Sequence, residues 1–285
     1  MTIGGIVEKL FAGRWIAGAE ISDAIATAKR FNKERISGLI NYLGESFNEK
    51  ANVERTIAVY AKLIDEIYLS KIDSAISVKP TQLGLLIGKG YTKKNYARIV
   101  RLARKRRMFV WLDMEEHRYV DDTISLYRSQ QKRNGMTGLC IQAYLRRSGD
   151  DAMRLVKSGA VIRLVKGAYK EGERIAYQDR KTVTANYLKL MSYLFRNSGE
   201  FMIATHDTAM IREALLLNRS YRRKVSYAML NGIRNKYLVE LAGMGNRSVV
   251  YIPFGERWFD YSVRRLREEG HLSLILRSLF ESQKL

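Results

Sequence analysis

Apolar positions along this chain switch repeatedly between two periods. Short runs rich in β-branched and aromatic residues end in polar residues or glycine, and each is followed by a longer stretch with apolar residues at helical spacing. After a helical lead-in, the first run is Ile36–Leu43, closed by Gly44 and Glu45. A helix is predicted over Val53–Tyr68, where Ile57, Tyr60, Ile64 and Ile67 share a face. The second run, Ala75–Val78, stops at Lys79 and Pro80 and precedes a helix over Lys93–Lys105. Met108–Leu112 ends at Asp113-Met114-Glu115 ahead of a helix over Asp121–Asn134, and Gly138–Ala143, which carries Gln142, leads to a short helix over Gly149–Lys157. Val161–Val165 ends at Lys166-Gly167 before a long helix over Thr182–Arg196. Phe201–Ala204 ends at Thr205-His206-Asp207 before a helix over Ala209–Leu217. The last two runs are Val225–Leu230, ending at Asn231-Gly232, and Ser248–Ile252, ending at Pro253-Phe254-Gly255. Helices are predicted after them over Lys236–Ala242 and Tyr261–Glu268, with a closing helix over Leu272–Phe280.

Eight strand–helix alternations point to an α/β chain folded as a (β/α)8 barrel of the TIM type, with an N-terminal helical lead-in and a C-terminal helix. The length of 285 residues suits such a barrel, which commonly takes about 250. An open doubly wound sheet fits the same alternation. Against it, no G-x-G-x-x-G follows any strand, and no G-x-x-x-x-G-K-[ST] appears. With only 2 prolines there is no proline-rich linker, so one barrel domain is expected over 1–285, with the N-terminal helices over 1–35 and the barrel and terminal helix over 36–285.

In a parallel barrel the C-terminal ends of the strands converge on one mouth, where ligands bind. Here those ends carry Glu45, Lys79, Asp113, Gln142, Lys166, His206, Asn231 and Tyr251. Charges attached directly to very apolar strands must pair with one another or with a charged ligand. The segment Tyr261–Glu269 follows the eighth strand and offers Arg264 and Arg265, side chains suited to bidentate carboxylate or phosphate binding. A solvated helix face with Arg264 paired to Glu268 at i,i+4 accounts for the same segment. His206 by itself fits a structural role as well as a ligand-binding one. No cluster has metal-ligand spacing and no G-x-S-x-G elbow is present.

The formal charge of +21 raises nucleic acid or an anionic membrane as partners. Two basic clusters, Arg101–Arg107 and Arg219–Lys224, fall at helix ends just before strands, where cations complement the helix dipole. That is the bottom of a barrel, away from the mouth. No nucleic-acid motif accompanies the clusters, so no nucleic-acid partner is expected, whereas loose peripheral attachment to a membrane surface stays open as a hypothesis. The single cysteine, Cys140, lies in the apolar run of the fourth strand and reads as a buried core residue. No charged start followed by an apolar run opens the sequence, and no run approaches ~18 apolar residues. The chain is therefore expected in the cytoplasm.

Taken in order, the strand-end motifs resemble those of the proline dehydrogenase family. They are Asn41-Tyr42-Leu43-Gly44-Glu45, Val78-Lys79-Pro80-Thr81-Gln82-Leu83-Gly84 and Leu112-Asp113-Met114-Glu115. They continue as Gln142-Ala143-Tyr144-Leu145, Arg163-Leu164-Val165-Lys166-Gly167-Ala168-Tyr169 and Ala204-Thr205-His206-Asp207. Leu230-Asn231-Gly232-Ile233-Arg234, Tyr251-Ile252-Pro253-Phe254-Gly255 and Tyr261–Glu268 complete the set. The resemblance spans about residues 11–285 and itself implies a barrel.

It implies FAD across the mouth as hydride acceptor in the oxidation of L-proline to 1-pyrroline-5-carboxylate, the first step of proline degradation to glutamate. A quinone-type acceptor then takes the electrons. By resemblance, Arg264, Arg265 and Lys79 hold the proline carboxylate and Tyr251 shapes the pocket against the ring. Glu268 balances Arg264, and Asp113 balances Lys79. The implied flavin contacts are Met114, Gln142, Arg163, Val165, Lys166, Gly167, Ala168, Thr205 and His206, with Arg163 as donor near flavin N5 and Asp113 and Arg163 as the catalytic pair. Two departures stand out. The seventh strand reads Ser226-Tyr227-Ala228-Met229-Leu230-Asn231, which puts a cofactor contact from Ala228 in doubt, and Asn231 stands where relatives often have an aromatic residue or histidine. A related dehydrogenase of hydroxyproline, or a non-enzymatic basic protein, are the alternatives.

Overall fold

Among the described residues, each apolar run forms a strand, and each amphipathic stretch packs as a helix over the strands that flank it. The computed structural model describes residues 15–134 and 136–257. The expected helices over Tyr261–Glu268 and Leu272–Phe280, and with them Arg264, Arg265 and Glu268, lie outside the described residues.

The lead-in helix α1 (Ile21–Lys33) precedes β1 (Ile36–Tyr42), α2 (Lys50–Leu69) and β2 (Ser74–Val78). Then come α3 (Lys89–Lys105), β3 (Val110–Leu112), α4 (Val120–Asn134), β4 (Thr137–Gln142) and α5 (Ser148–Lys157). The series ends with β5 (Val161–Val165), α6 (Arg180–Asn197), β6 (Glu200–Ala204), α7 (Thr208–Tyr221), β7 (Lys224–Leu230), α8 (Asn235–Gly243) and β8 (Arg247–Phe254). All eight strands are parallel, and β8 closes on β1 with Ile36 opposite Ser248 and Tyr42 opposite Phe254. The chain is therefore a closed (β/α)8 barrel, and the doubly wound alternative is set aside.

Because side chains alternate across a strand, each strand divides its residues between two cores. The outward set packs against the helices, as with Ile36, Ile40, Ile76, Val110, Leu139, Ile162, Ile203 and Val250 against Phe31, Tyr60, Tyr96, Tyr187 and Phe195. The inward set forms a separate plug in the lower barrel from Leu39, Trp111, Met202, Ala228 and Val249, flanked by Ala75, Phe109, Val161 and Ala204. Above that plug the inward positions turn polar.

Several local devices aim the strand ends. Pro80 opens a 3-10 turn over Pro80–Leu83 directly after Lys79, where its fixed φ suits the first helical position. Asp207 caps α7 by accepting the Ala209 N–H at 3.1 Å, and Asp179 caps α6 through Thr182 N–H at 2.7 Å. The basic residues Arg104 to Arg107 and Arg222 to Lys224 lie at the ends of α3 and α7, just ahead of β3 and β7, on the face opposite the mouth. No helix among the described residues is long and apolar enough to cross a membrane.

Candidate active site

The inward positions of β2, β3, β5 and β8 converge on one buried cluster at the mouth. Arg163 lies in the middle of β5 and is 4% exposed, too deep for an uncompensated charge. Its guanidinium forms an ion pair with Asp113, which stands just past the end of β3. Ser77, one step below Lys79 on the inward face of β2, donates its hydroxyl to the same carboxylate. The other Asp113 oxygen accepts the Tyr251 hydroxyl of β8 at 3.1 Å. The Arg163 guanidinium also lies over the Trp111 and Tyr251 rings, at 5.4 Å and 5.6 Å from their centroids. Burial pulls this guanidinium toward losing its proton, but the Asp113 carboxylate outweighs burial and holds it above its ordinary value. The charge is thereby fixed at any working pH.

Beside this cluster, Lys79 is buried and pairs with Glu45 at 2.7 Å. Tyr169, in the loop after β5, reaches the same Glu45 oxygen at 3.5 Å. The expected charge balance is thus rearranged: the ion-pair partner of Lys79 is Glu45, and Asp113 is bound to Arg163 instead. The reason is strand order. Glu45 lies in the loop after β1, the immediate neighbour of β2, and faces Lys79 across the seam, whereas Arg163 projects across the barrel to the end of β3.

The remaining expected residues ring the mouth. Gln142 Nε2 is 3.4 Å from the Met114 carbonyl, while its Oε1 is buried with no partner among the described residues; the same holds for Arg163 Nε and Asn41 Oδ1. Val165 accepts the Ala143 N–H at 2.8 Å, so the start of the β4 loop follows the end of β5. Lys166, half-buried, pairs with Asp207 at 3.3 Å. Burial works against ionisation of Asp207, but Lys166 and the α7 amides outweigh it, so its carboxyl lies below the ordinary range. Gly167 has φ 117°, and a Cβ there would meet the Tyr144 ring at 2.1 Å, so only glycine fits this close approach. Ala168 is half-buried beside it. Thr205 is buried and takes the Asp207 N–H at 3.2 Å. His206 Nε2 accepts the Leu230 N–H at 3.0 Å, which assigns the unprotonated nitrogen and ties β6 to β7.

Of the two departures, Ala228 belongs to the lower plug, and Asn231 donates to the Trp15 carbonyl at 3.3 Å, latching the lead-in to the mouth. Cys140 is buried, as expected. Burial pushes its thiol up, and the nearby Arg163 only partly opposes this. No metal-binding group of His, Cys, Asp or Glu occurs among the described residues. Sequence reasoning missed Ser77, Trp111, Thr81 and Glu115. All four lie two residues from an expected site residue, Ser77 and Thr81 from Lys79 and Trp111 and Glu115 from Asp113, but only Ser77 and Trp111 are on strands, where the period-2 alternation carries that signal.

This arrangement can bind an anion beside a fixed guanidinium and present unmatched amide and guanidine groups to a planar polar ligand. Comparison with known proteins narrows it. The proline dehydrogenase family model matches residues 24–277. Proline dehydrogenase 1 of Bacillus subtilis subsp. natto is 31% identical over 277 residues, covering 96% of this chain and 92% of its own. The proline dehydrogenase of Deinococcus radiodurans is 31% identical over 265 residues, covering 90% and 86%. Among solved structures, proline utilization A (PutA) from Bdellovibrio bacteriovorus, inactivated by N-propargylglycine, superposes with a TM-score of 0.85 at 23% identity over 99% of this chain. That of Corynebacterium freiburgense has a TM-score of 0.77 at 21% identity. The chain spans about a third of those longer chains, 35% and 33%, and the likeness is one of fold. With the family model spanning nearly all of the barrel, and full-length relatives above 30% identity, this chain belongs to the proline dehydrogenase family.

Proposed function

We propose that this chain oxidises L-proline to 1-pyrroline-5-carboxylate with FAD as the bound electron acceptor, passing the electrons on to a quinone-type acceptor. The observation that carries the reading is the mouth itself: a buried Arg163–Asp113 pair beside a buried Lys79, with Gln142 Oε1 and Arg163 Nε unmatched among the described residues. These groups fit a flavin. An amide offers both donor and acceptor to a ring edge, and a fixed guanidinium favours negative charge developing nearby. Gln142, Met114, Arg163, Val165, Lys166, Gly167, Ala168, Thr205 and His206 would hold it. When bound, FAD supplies the two-electron acceptor.

The chain's own residues do the rest. Lys79, with Arg264 and Arg265, binds the substrate carboxylate, and Glu268 balances the arginines. Tyr251 lies against the ring and is fixed by its hydrogen bond to Asp113. Asp113 holds Arg163 in place, and Arg163 would stabilise the negative charge gained by the electron acceptor as it takes the hydride from C5, while the ring-nitrogen proton is released to solvent.

The test is the visible spectrum of the purified protein before and after anaerobic L-proline. A flavin band that bleaches supports the reading. A flavin band unmoved by L-proline, or no flavin after FAD is added, overturns it. Turnover of 4-hydroxyproline measured alongside separates the two imino acids.

The basic bottom face supports peripheral contact with an anionic membrane, and it also exposes Leu69 (70%) and Met244 (71%). Flotation with anionic vesicles at low salt tests this, and protein left at the bottom of the gradient overturns it.

A further inference from the structure

The Lys79–Glu45 pair joins the loop after β1 to the turn after β2. Ser46, next to Glu45, sits at φ 58°, a left-handed conformation that costs a non-glycine residue energy. What holds it is Thr81, in the turn after Lys79: the Ser46 N–H donates to the Thr81 hydroxyl at 2.8 Å, and the Phe47 N–H donates to the Thr81 carbonyl at 3.3 Å. Thr81 is held in turn by Glu115, whose two oxygens accept the Thr81 N–H at 2.9 Å and its hydroxyl at 2.6 Å. Thr81 is 1% exposed and Glu115 2%. A second tie runs alongside, since Gln82 accepts the Lys79 N–H at 3.3 Å and donates to the Tyr42 carbonyl at 2.7 Å. Loops after β1, β2 and β3 are therefore laced through one buried carboxylate.

We propose that Glu115 is a positioning residue: its ionised carboxylate, acting through Thr81 and Ser46, sets the Lys79–Glu45 pair and so the affinity for the substrate carboxylate. The proposal rests on Lys79 being the carboxylate site. Geometry gives the direction. With both Glu115 oxygens accepting, the Thr81 hydroxyl must donate toward Glu115 and keep a lone pair for Ser46 N–H. A proton on Glu115 reverses that contact, so the Thr81 hydroxyl accepts from Glu115, gives up its donation to a charged carboxylate, and holds Ser46 and Glu45 less firmly. Burial raises the Glu115 carboxyl to about 7, with Lys79 and the Thr81 donors pulling it down and Glu45 pushing it up, while Tyr119 beyond it feels its charge. The switch therefore falls in an accessible range.

The test compares the wild-type holoenzyme with Glu115→Gln, Thr81→Val and Thr81→Ser. The probe is cyclopentanecarboxylate, a ring carboxylate with no amine to titrate, whose dissociation constant is measured from pH 5.5 to 8.5. Glutamine mimics the protonated acid, so the ratio of its dissociation constant to that of wild type is expected to be about tenfold at pH 8.5, the loss of one hydrogen bond to a charged group. It should fall toward one below pH 6. Thr81→Val should reproduce the weakening and Thr81→Ser should restore wild-type affinity, while kcat for proline stays within a few-fold for all three. Direct repulsion between Glu115 and the ligand acts in the opposite sense, so a ratio at or below one at pH 8.5 overturns the proposal, as does a ratio that ignores pH. If wild type neither binds the probe nor oxidises proline, the assignment of Lys79 falls first; if it does both and the ratio stays flat, only the positioning role of Glu115 falls.

Discussion

Replacing Glu115 by glutamine should stabilise the protein above neutral pH. Glu115 is 2% exposed, and its carboxyl is raised from an ordinary 4.5 to about 7 because burial disfavours the charged form. The folded chain thus keeps this proton over a pH range in which the unfolded chain has already lost it. The stability that comes from the neutral acid is fully present below about 4.5 and is lost as pH rises through about 7. The difference between those two values is worth about 3 kcal/mol, the cost the wild type bears above the window. Glutamine carries no such cost, though it gives up one good acceptor for the Thr81 hydroxyl, which offsets about 1 kcal/mol. The net gain above pH 8 is about 2 kcal/mol, or roughly 5 °C in Tm for a barrel of this size. Calorimetric melts of both proteins at matched scan rate, from pH 5 to 8.5, measure it. The difference in Tm should open through neutrality and close toward pH 5. A variant that melts below wild type at pH 8.5, or a difference that does not move with pH, would refute the reasoning.

Three further substitutions probe the rest of the mouth and the plug beneath it. Asp113→Ala leaves the Arg163 guanidinium buried without its ion-pair partner, which should cost about 3–5 kcal/mol and appear as a Tm lower by roughly 10 °C together with loss of proline oxidation. In Gly167→Ala the new Cβ would stand 2.1 Å from the Tyr144 ring at φ 117°; about 2 kcal/mol of destabilisation and reduced flavin content after purification are expected, read from melts and the absorbance ratio. Met202→Ala removes a side chain of the lower plug that is 5% exposed, so stability should fall by about 2–5 kcal/mol in denaturant titrations while KM for proline is unchanged.

Strand positions were legible because parallel barrel strands are bounded sharply by polar residues. Val161–Val165 was read with the bounds it has, and most other edges moved by a residue or two. The larger misses have local causes. Strand β8 runs past Ile252 to Phe254 because Pro253 sits at its mouth end, where a missing N–H is tolerated and its carbonyl instead receives the Ala17 N–H at 2.9 Å. Helix α3 begins at Lys89, earlier than predicted, on a Gly88 N-cap with no side-chain hydrogen bond to announce it. In the site, residue types at strand ends were visible but their partners were not. Pairing depends on which strand neighbours which and how far a side chain reaches, so the Lys79–Glu45 and Arg163–Asp113 pairs emerged only from the closed barrel.

The barrel interior divides its labour by height. The lower plug of Leu39, Trp111, Met202, Ala228 and Val249 is apolar and contributes stability by burial alone. Directly above it stand Ser77, Arg163 and Asp113, and above those Lys79, Glu45 and Glu115, all of which cost desolvation that a plain hydrophobic core would avoid. Such a layer lowers stability unless each group is matched, and the structure matches them across strands rather than within them: β2 to β3, β3 to β5, β8 to β3, and the β1 loop to the β2 loop. Cross-strand matching makes the positions of these groups depend on closure of the whole barrel, so they are held in register before any ligand arrives. It also explains why an inward residue two steps from a charged strand end carries information. The alternation that places Lys79 in the mouth places Ser77 beneath it, and the one that places Asp113 there places Trp111 under Arg163.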